Sequence, residues 1–281
     1  ILLRTSLELE RKEKEKIEEI NQAKLQFFAN ISHEFRTPLT LIITQTDLLL
    51  QNSSIPPFIY NKLLRIRKNT KHMRNLINEL LDFRKLEQGH MKLKGYEQDI
   101  VPFVKEIYLS FYEYASSLSI TYLFHDPEKE LNCWFDPKQM QKVFYNLLSN
   151  AFKYTNAPAT IEMTVEDDTD TITIKVIDTG IGINKEDIHK IFDRFYQADN
   201  ALSQSQLPST GIGLSVAKNI IVLHHGTIQV ESTPGYGSIF IVRLPKGNKH
   251  FNPDECRMDK PEESVVQENL LTSSNNAEDD Y

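Results

Sequence analysis

The chain has 281 residues, of which 40% are hydrophobic and 25% charged, so it is long enough for about two globular domains. The formal net charge is −7 at pH 7, and residues 248–281 alone hold nine acidic and three basic side chains; the rest is close to neutral, so no basic field indicates nucleic-acid binding. Two cysteines exclude a disulfide framework and a cysteine-rich zinc site, and no apolar run reaches the ~18 residues of a membrane-spanning helix.

A long charged helix is predicted at the start of the chain. Residues 1–22 place glutamates and lysines three or four positions apart, which favours a solvent-facing helix and predicts a coiled-coil signalling segment. Because the sequence opens inside this pattern and without methionine, we expect it to be a segment of a longer protein.

The helix continues through "FFANISHEFRTPLTLII", residues 27–43, with two unusual features. Apolar side chains recur here every three or four positions, which predicts one buried helical face. The members of this face are Phe27, Phe28, Ile31, Phe35, Leu39 and Ile42. His33 and Glu34 interrupt the pattern, and Pro38 removes a backbone donor and strains the turn before it. A lone histidine on a helix is usually structural, so a function for these residues depends on the motifs that follow.

A turn and a second helix are predicted next. "NSSIPP" (52–57) concentrates turn formers and is expected to end the first helix near Gln51. The second helix then runs to about Gly89, and apolar residues at heptad spacing form a seam along it. The seam consists of Leu63, Ile66, Thr70, Met73, Ile77 and Leu80. Two amphipathic helices joined by a short loop cannot bury both apolar faces alone, so we expect dimerisation into a four-helix bundle.

From about Tyr96 the pattern changes to mixed helices and strands. Strands are predicted at 120–124, 159–166, 171–178, 226–232 and 238–244, and helices near 103–118, 137–154 and 212–225. This order predicts an α+β chain in which an open mixed sheet carries helices on one face. Periodicity fades after Pro245, and the acidic tail is expected to be a disordered linker.

The first motif of this second region is "NLLSNAFKYT", residues 146–155. On a helix, Asn146 and Asn150 share a face, with Lys153 one turn further on. Two carboxamide oxygens suit a hard cation that keeps most of its waters, and the lysine can neutralise phosphate. A polar stripe on an amphipathic helix explains the same residues equally well.

Two glycine motifs and a predicted hairpin follow. "DTGIGI" (178–183) comes directly after an apolar strand; its glycines permit close backbone approach, and a buried Asp178 can accept a hydrogen bond from an exocyclic amine. "STGIGL" (209–214) places glycines ahead of a helix, whose N-terminal N–H groups favour phosphate. "TPGYGS" (233–238) predicts a hairpin turn that also shapes the pocket. Neither a P-loop nor a dinucleotide-binding fingerprint is present.

Six motifs in order resemble the H, N, G1, F, G2 and G3 boxes of sensor histidine kinases. They are "SHEFRTPL", "NLLSNAFKYT", "DTGIGI", "FDRFYQ" (192–197), "STGIGL" and "TPGYGS". "HEFRTPLTLI", "DFRKLE" and the "HHG" at 224–226 further resemble hybrid two-component sensors of Bacteroides-type bacteria. The implied organisation is a signalling helix over 1–22, a dimerisation and phosphoacceptor domain over 23–90, an α/β sandwich that binds ATP over 91–247 and an acidic linker over 248–281.

The resemblance implies a reactive site around His33. His33 is then the phosphoacceptor, and Glu34 orients its imidazole and accepts its proton. Thr37, one turn along the same face, supports dephosphorylation of a partner receiver. Pro38 bends the helix beside this site and acts as a hinge for an upstream signal.

The resemblance also implies an ATP and Mg²⁺ site in the second domain. Asn146 and Asn150 hold Mg²⁺ and phosphate oxygens, and Lys153 contacts phosphate. Asp178 reads the adenine amine and so favours ATP over GTP. The remaining implied nucleotide-site residues are Tyr154, Gly180, Gly182, Ile183, Thr210, Gly211, Gly213 and Leu214. The polar segment 197–208 resembles a mobile lid.

The implied partners are a second copy of the chain, paired through helices 23–90, and a response-regulator receiver domain in the same full-length protein or in another. The upstream sensor and its membrane span lie outside this sequence, which would form the cytoplasmic portion of an inner-membrane protein; no nucleic acid is expected to contact it. Two other hypotheses are a catalytically silent nucleotide-binding scaffold and a related ATPase of the gyrase, heat-shock chaperone or mismatch-repair type. Those ATPases lack a histidine-bearing helical hairpin ahead of the ATP domain, and the intact motif residues disfavour the scaffold.

Overall fold

The computed structural model describes residues 34–51, 55–87, 91–197, 211–251 and 256–257. The chain divides between Met91 and Lys92 into two compact units. This division lies one residue from the domain boundary expected from the sequence. His33 and Thr210, together with almost all of the expected lid, lie outside the described residues.

The first unit is a helical hairpin. Helix α1 covers 34–50 and helix α2 covers Pro57–Glu87. Arg36 Nη2 donates to Asn78 Oδ1 at 3.0 Å, and Arg67 pairs with Asp47 at 2.6 Å. The two bonds are equally spaced along both helices, which is the geometry of an antiparallel pair in register. Within the described part of the chain, no helix has both the length and the apolar character needed to cross a membrane.

The apolar residues of the hairpin divide between two faces. Leu39, Ile43 and Thr46 of α1 are buried, as is Thr70 of α2. Other apolar side chains are exposed in the single chain. They include Phe35 (52%), Ile42 (44%) and Leu49 (50%) of α1, and Ile66 (48%) and Met73 (49%) of α2. The seam predicted from the sequence is therefore only partly buried within one chain.

The second unit alternates helices and strands. Its helices are α3 (Ile100–Leu109), α4 (Tyr112–Ser117), α5 (Pro137–Lys153) and α6 (Gly213–Leu223). Its strands are β1 (Gly95–Asp99), β2 (Thr121–His125), β3 (Asn132–Phe135), β4 (Thr160–Asp167), β5 (Thr171–Asp178), β6 (Thr227–Thr233), β7 (Gly237–Pro245) and β8 (Cys256–Arg257). The helix predicted near 103–118 is two helices, because the chain turns at Ser110 and Phe111.

Five strands form a mixed sheet in the order β2-β4-β5-β7-β6. Strands β2 and β4 are parallel and the other neighbours are antiparallel. Helices α5 and α6 pack together over this sheet, and their side chains Phe144, Leu147 and Ile220 are fully buried. The predicted α+β architecture, with a mixed sheet and helices on one face, is confirmed.

A second sheet, in the order β3-β1-β8, was not expected from the sequence. Strand β8 pairs in parallel with β1, so Cys256 lies beside Gly95. Phe251 is 6% exposed and belongs to an apolar cluster with Leu93 and Trp134. The expectation of a disordered tail from 248 onward is therefore wrong for 248–251 and 256–257, because these residues bury apolar surface and extend a sheet.

Candidate functional site

Helix α5 presents the asparagine motif. Its first turn is capped by Asp136, whose carboxylate accepts from Gln139 N–H at 3.1 Å, and Pro137 occupies the first helical position. Asn146 and Asn150 are half-buried on this helix. Lys153 occupies its last turn with Nζ 5.3 Å from the Tyr154 ring centroid, and burial lowers the pKa of that lysine.

The start of helix α6 lies directly against Asn146. A Cβ on Gly213 would come within 2.5 Å of Asn146 Oδ1, so only glycine allows the backbone this close. Gly211, at φ +68°, leaves equally little room beside the backbone of Phe195, whose N–H donates to the Gly211 carbonyl at 3.0 Å. Leu214 is half-buried in the first turn. A helix N-terminus thus adjoins a carboxamide, an arrangement suited to a phosphate and its cation.

The two asparagines fit a magnesium ion in donor type. Across the described residues, no cluster of three His, Cys, Asp or Glu side chains could hold a metal. A cation at α5 would therefore rest on two carboxamide oxygens, phosphate oxygens and water; all of these are oxygen ligands, which Mg²⁺ requires, and it usually keeps several waters beside substrate phosphates.

Asp178 ends strand β5 as a buried carboxyl group. It is 6% exposed and accepts from Gly180 N–H at 2.9 Å. Burial raises the pKa of Asp178 to about 6, although backbone hydrogen bonds from Gly180 and Ser238 act in the opposite direction. A Cβ on Gly180 would lie 2.2 Å from the Tyr154 carbonyl oxygen. Gly180 therefore allows the end of α5 to lie against the Asp178 turn.

The hairpin at 233–238 forms the outer support of this turn. Gly182, at φ +67°, lies so close to the hairpin that a Cβ would be 2.2 Å from the Thr233 carbonyl oxygen. Gly235 N–H donates to the Ile181 carbonyl at 2.8 Å, and Ile183 N–H donates to Ser232 Oγ at 2.8 Å. The motifs at 146–155, 178–183 and 233–238, which are far apart in the sequence, therefore form one wall of the candidate site.

Two glycines of the hairpin provide a matched test of that wall. We expect Gly237→Ala to lower the free energy of unfolding by about 3 kcal/mol or more, because the new Cβ would lie 1.9 Å from the Asp178 carbonyl oxygen at φ +115°. Gly235→Ala meets nothing within 4 Å at φ +80°, so it bears only the backbone strain of about 1–2 kcal/mol. Urea unfolding of both variants measures the difference; equal losses would show that the contact with Asp178 is not tight.

The structure places predicted nucleotide-site residues in two groups of contacts. Asn146 lies against Gly213, and Gly180 lies against both Tyr154 and Asp178. Glu34 and Thr37 are exposed on α1 in the other unit.

Three residues of this wall were not predicted. Thr155 is 4% exposed, and its Oγ1 has no hydrogen-bond partner in the described part of the chain. Ser232 Oγ donates to the Gly237 carbonyl at 2.7 Å and lies 3.0 Å from Ser238 Oγ. Thr155 and Ser238 each end a motif singled out in the sequence, which was the available signal; Ser232 precedes its motif by one residue.

Two families match the chain. Residues 23–89 match the family described as "His Kinase A (phospho-acceptor) domain". Residues 135–248 match the family described as "Histidine kinase-, DNA gyrase B-, and HSP90-like ATPase".

Curated relatives are named histidine kinases, and solved structures share the fold. Histidine kinase P4 of Formosa agariphila is 45% identical over 92% of this chain and 19% of its own length. Sensor histidine kinase RcsC of Escherichia coli is 34% identical over 81% of this chain and 24% of its own length. The fold is similar to that of full-length ShkA in complex with AMPPNP (TM-score 0.67, 23% identity, 79% of this chain and 46% of that one). It is also similar to histidine kinase ThkA in complex with response regulator protein TrrA (TM-score 0.55, 23% identity, 80% and 62%). The chain spans about a fifth to a quarter of these curated relatives.

Proposed function

The chain belongs to the histidine kinases, and from that premise we propose that it is an ATP-dependent protein-histidine kinase of a two-component system. It transfers the γ-phosphoryl group of ATP to His33 and then to an aspartate of a receiver domain. The observation that carries this proposal is the presence of both parts in one chain, a phosphoacceptor domain at 23–89 and an ATPase domain at 135–248. The phosphoacceptor match also disfavours an ATPase of the gyrase or chaperone type.

The described site supports ATP binding in the second unit. Asn146 and Asn150 would hold Mg²⁺ and so orient the triphosphate, whose charge the ion would neutralise. The backbone of Gly213 lies beside Asn146, and together with the backbone of Gly211, two residues before it, it receives phosphate oxygens. Asp178 accepts a hydrogen bond from the adenine amine, and its burial makes this contact selective.

The chemistry at the acceptor rests on the sequence motif. A neutral imidazole with a pKa near ~6.5 is a nucleophile at neutral pH. His33 attacks the γ-phosphorus while the bond from that phosphorus to the bridging oxygen breaks and ADP leaves. Glu34 accepts the imidazole proton. Thr37 supports a separate reaction, the removal of phosphate from the receiver, by positioning water.

Incubation with γ-labelled ATP and Mg²⁺ tests the proposal. We expect label that is lost in acid and retained in base, which is the behaviour of phosphohistidine. A protein that binds ATP but takes up no label would favour the silent scaffold. Transfer of the label to purified receiver domains would then identify the partner, in the same full-length chain or in another.

The exposed apolar side chains of the hairpin support a homodimer. Phe35, Ile42 and Leu49 are seven residues apart on α1, and so are Ile66 and Met73 on α2. Each is about half exposed in the single chain. Side chains repeated every seven residues form one stripe on each helix, so pairing two hairpins buries both stripes in a four-helix bundle.

A charge in this stripe is expected to separate the subunits. In Ile66→Glu, each protomer would bring an unpaired carboxylate into the interface, so we expect the dimer dissociation constant to rise by ~100-fold or more. Lys68→Glu is the matched control, because Lys68 is exposed on the opposite side of the same turn. Sedimentation equilibrium measures both. A dimer unaffected by Ile66→Glu would place the interface elsewhere.

The wider context remains part of this proposal. The relatives include proteins named as sensors, and an upstream sensor with a membrane span would place this chain on the cytoplasmic side of an inner membrane. The solved complex of ThkA with TrrA contains a response regulator, which supports a receiver domain as the partner here.

A further inference from the structure

The "HHG" motif places a buried histidine at the end of helix α6. His224 is 1% exposed. Its Nδ1 lies 2.7 Å from the Ile220 carbonyl oxygen, and its Nε2 accepts from the backbone N–H of Asp136 at 3.0 Å. Since Nδ1 faces an acceptor and Nε2 faces a donor, the ring is neutral with its proton on Nδ1. Burial lowers the pKa of His224, which agrees with this assignment.

The hydrogen bond from the Asp136 N–H to His224 Nε2 joins helices α5 and α6 at the end remote from the proposed nucleotide site. Asp136 caps the start of α5, and His224 ends α6. At the other end, Gly213 at the start of α6 lies against Asn146 of α5. The distance along each helix between its two contacts is about 15 Å at ~1.5 Å per residue. The helices are therefore antiparallel and are fixed to each other at two points.

The contact at the nucleotide end leaves almost no tolerance for sliding. A Cβ atom added to Gly213 would lie only 2.5 Å from Asn146 Oδ1. An axial shift of α6 by a single residue would be ~1.5 Å, enough to separate the glycine backbone from the carboxamide or to force the two together. The bond between His224 and Asp136 opposes such a shift.

The surroundings hold both partners of that bond in place. The Asp136 carboxylate accepts from Gln139 N–H at 3.1 Å and from Lys94 N–H at 2.9 Å, so the residue that caps α5 is fixed on three sides. Phe251 lies edge-on to the His224 ring, with centroids 5.9 Å apart. The segment after the sheet thus covers the imidazole.

We propose that His224 is a positioning residue for ATP binding, which sets the axial register of α6 against α5 and thereby the distance between the Gly213 backbone and Asn146. It acts ~15 Å from the phosphates and does not touch the nucleotide. This inference rests on the proposed use of Asn146 and Gly213 as the phosphate site.

Two substitutions and a matched control test the proposal by calorimetric titration with ATP and Mg²⁺. His224→Leu keeps an apolar side chain but removes the acceptor, and we expect the dissociation constant for ATP to rise about 10-fold. His224→Gln offers a side-chain oxygen near the position of Nε2 and is expected to stay within about 3-fold of the wild type. Ile172→Ala empties a buried site at the end of β5 opposite Asp178, so it destabilises the unit and leaves ATP affinity unchanged.

Thermal unfolding of each variant distinguishes an effect on the register of α6 from a general loss of stability. The proposal fails if folded His224→Leu binds ATP as the wild type does. It also fails if Ile172→Ala, at a similar loss of melting temperature, weakens ATP binding equally.

Hydrogen exchange on the wild type provides a test that does not depend on the folding of any variant. Because coupling between two sites is reciprocal, ATP with Mg²⁺ is expected to slow exchange of the Asp136 amide at least several-fold, and no change there would overturn the inference. Wild-type protein that binds ATP without taking up label would defeat the kinase proposal alone and leave this test valid.

Discussion

Replacing His33 with glutamine is expected to reduce phosphate incorporation from γ-labelled ATP to background, with ATP affinity unchanged. Glutamine has a similar length and polarity, but its amide nitrogen is not a nucleophile, so no covalent intermediate can form. The side chains proposed to bind nucleotide, such as Asn146 and Asp178, all belong to the unit that begins at Lys92. Loss of the acceptor histidine is therefore expected to prevent formation of phosphohistidine and to leave ATP binding intact.

The control for this variant is a second histidine of the same helical unit. His72 is half-buried on α2 and belongs to none of the six motifs, so His72→Gln is expected to incorporate label as the wild type does. Gel autoradiography gives the incorporation, and calorimetric titration gives the ATP affinity. Label that persists in His33→Gln, with the acid lability of phosphohistidine, would mean that another histidine is the acceptor.

Most regular elements could be predicted because their residues repeat with the period of the element. Strands β4 and β5 alternate apolar and polar side chains, and their predicted and observed bounds differ by at most one residue. Strand β1 has the sequence "GYEQD" and β3 has "NCWF". These segments are too short or too polar to show alternation, and their strand conformation depends on pairing with each other and with β8.

The candidate site could be predicted as a set of residues but not as a set of contacts. Each motif has local chemistry, such as a carboxyl group before glycines, that is visible in the sequence. The approach of Gly182 to Thr233 and of Gly213 to Asn146 depends on which strands and helices are neighbours. Likewise, the heptad spacing predicted helix α2, but the sequence did not distinguish the buried Thr70 from the exposed Ile66.

Replacing Asp178 with asparagine is expected to raise the dissociation constant for ATP by ~100-fold, which corresponds to about 3 kcal/mol. Gly180 N–H needs an oxygen at the position of Oδ1, so asparagine would turn its Nδ2 toward the base. A donor would then face the donor amine of adenine. The same Nδ2 suits the carbonyl oxygen of guanine, so GTP affinity is not expected to fall. Calorimetric titration with both nucleotides measures this reversal of preference.

The same substitution is expected to stabilise the protein without nucleotide, and the sign follows from the raised pKa of Asp178. The folded-state pKa of about 6 exceeds the ordinary 3.8, so the folded state binds this proton more tightly than the unfolded state and is penalised once the group ionises. The penalty is fully present above pH 6, is relieved as the pH falls from 6 to 4, and amounts to about 3 kcal/mol at neutral pH. Asparagine never ionises, so the variant is expected to unfold at a higher temperature at pH 7 and to lose most of that advantage near pH 4.

The exposed carboxylate of Asp170 provides the control. Asp170→Asn is expected to change neither ATP affinity nor the melting temperature at pH 7, because the side chain is exposed to water. A stable Asp178→Asn variant that still binds ATP as tightly as the wild type would show that this carboxylate does not read adenine. If Asp178→Asn instead unfolds at a lower temperature at pH 7, the carboxylate contributes more through its bonds to Gly180 and Ser238 than it loses by burial, and its role in the nucleotide-free protein is structural.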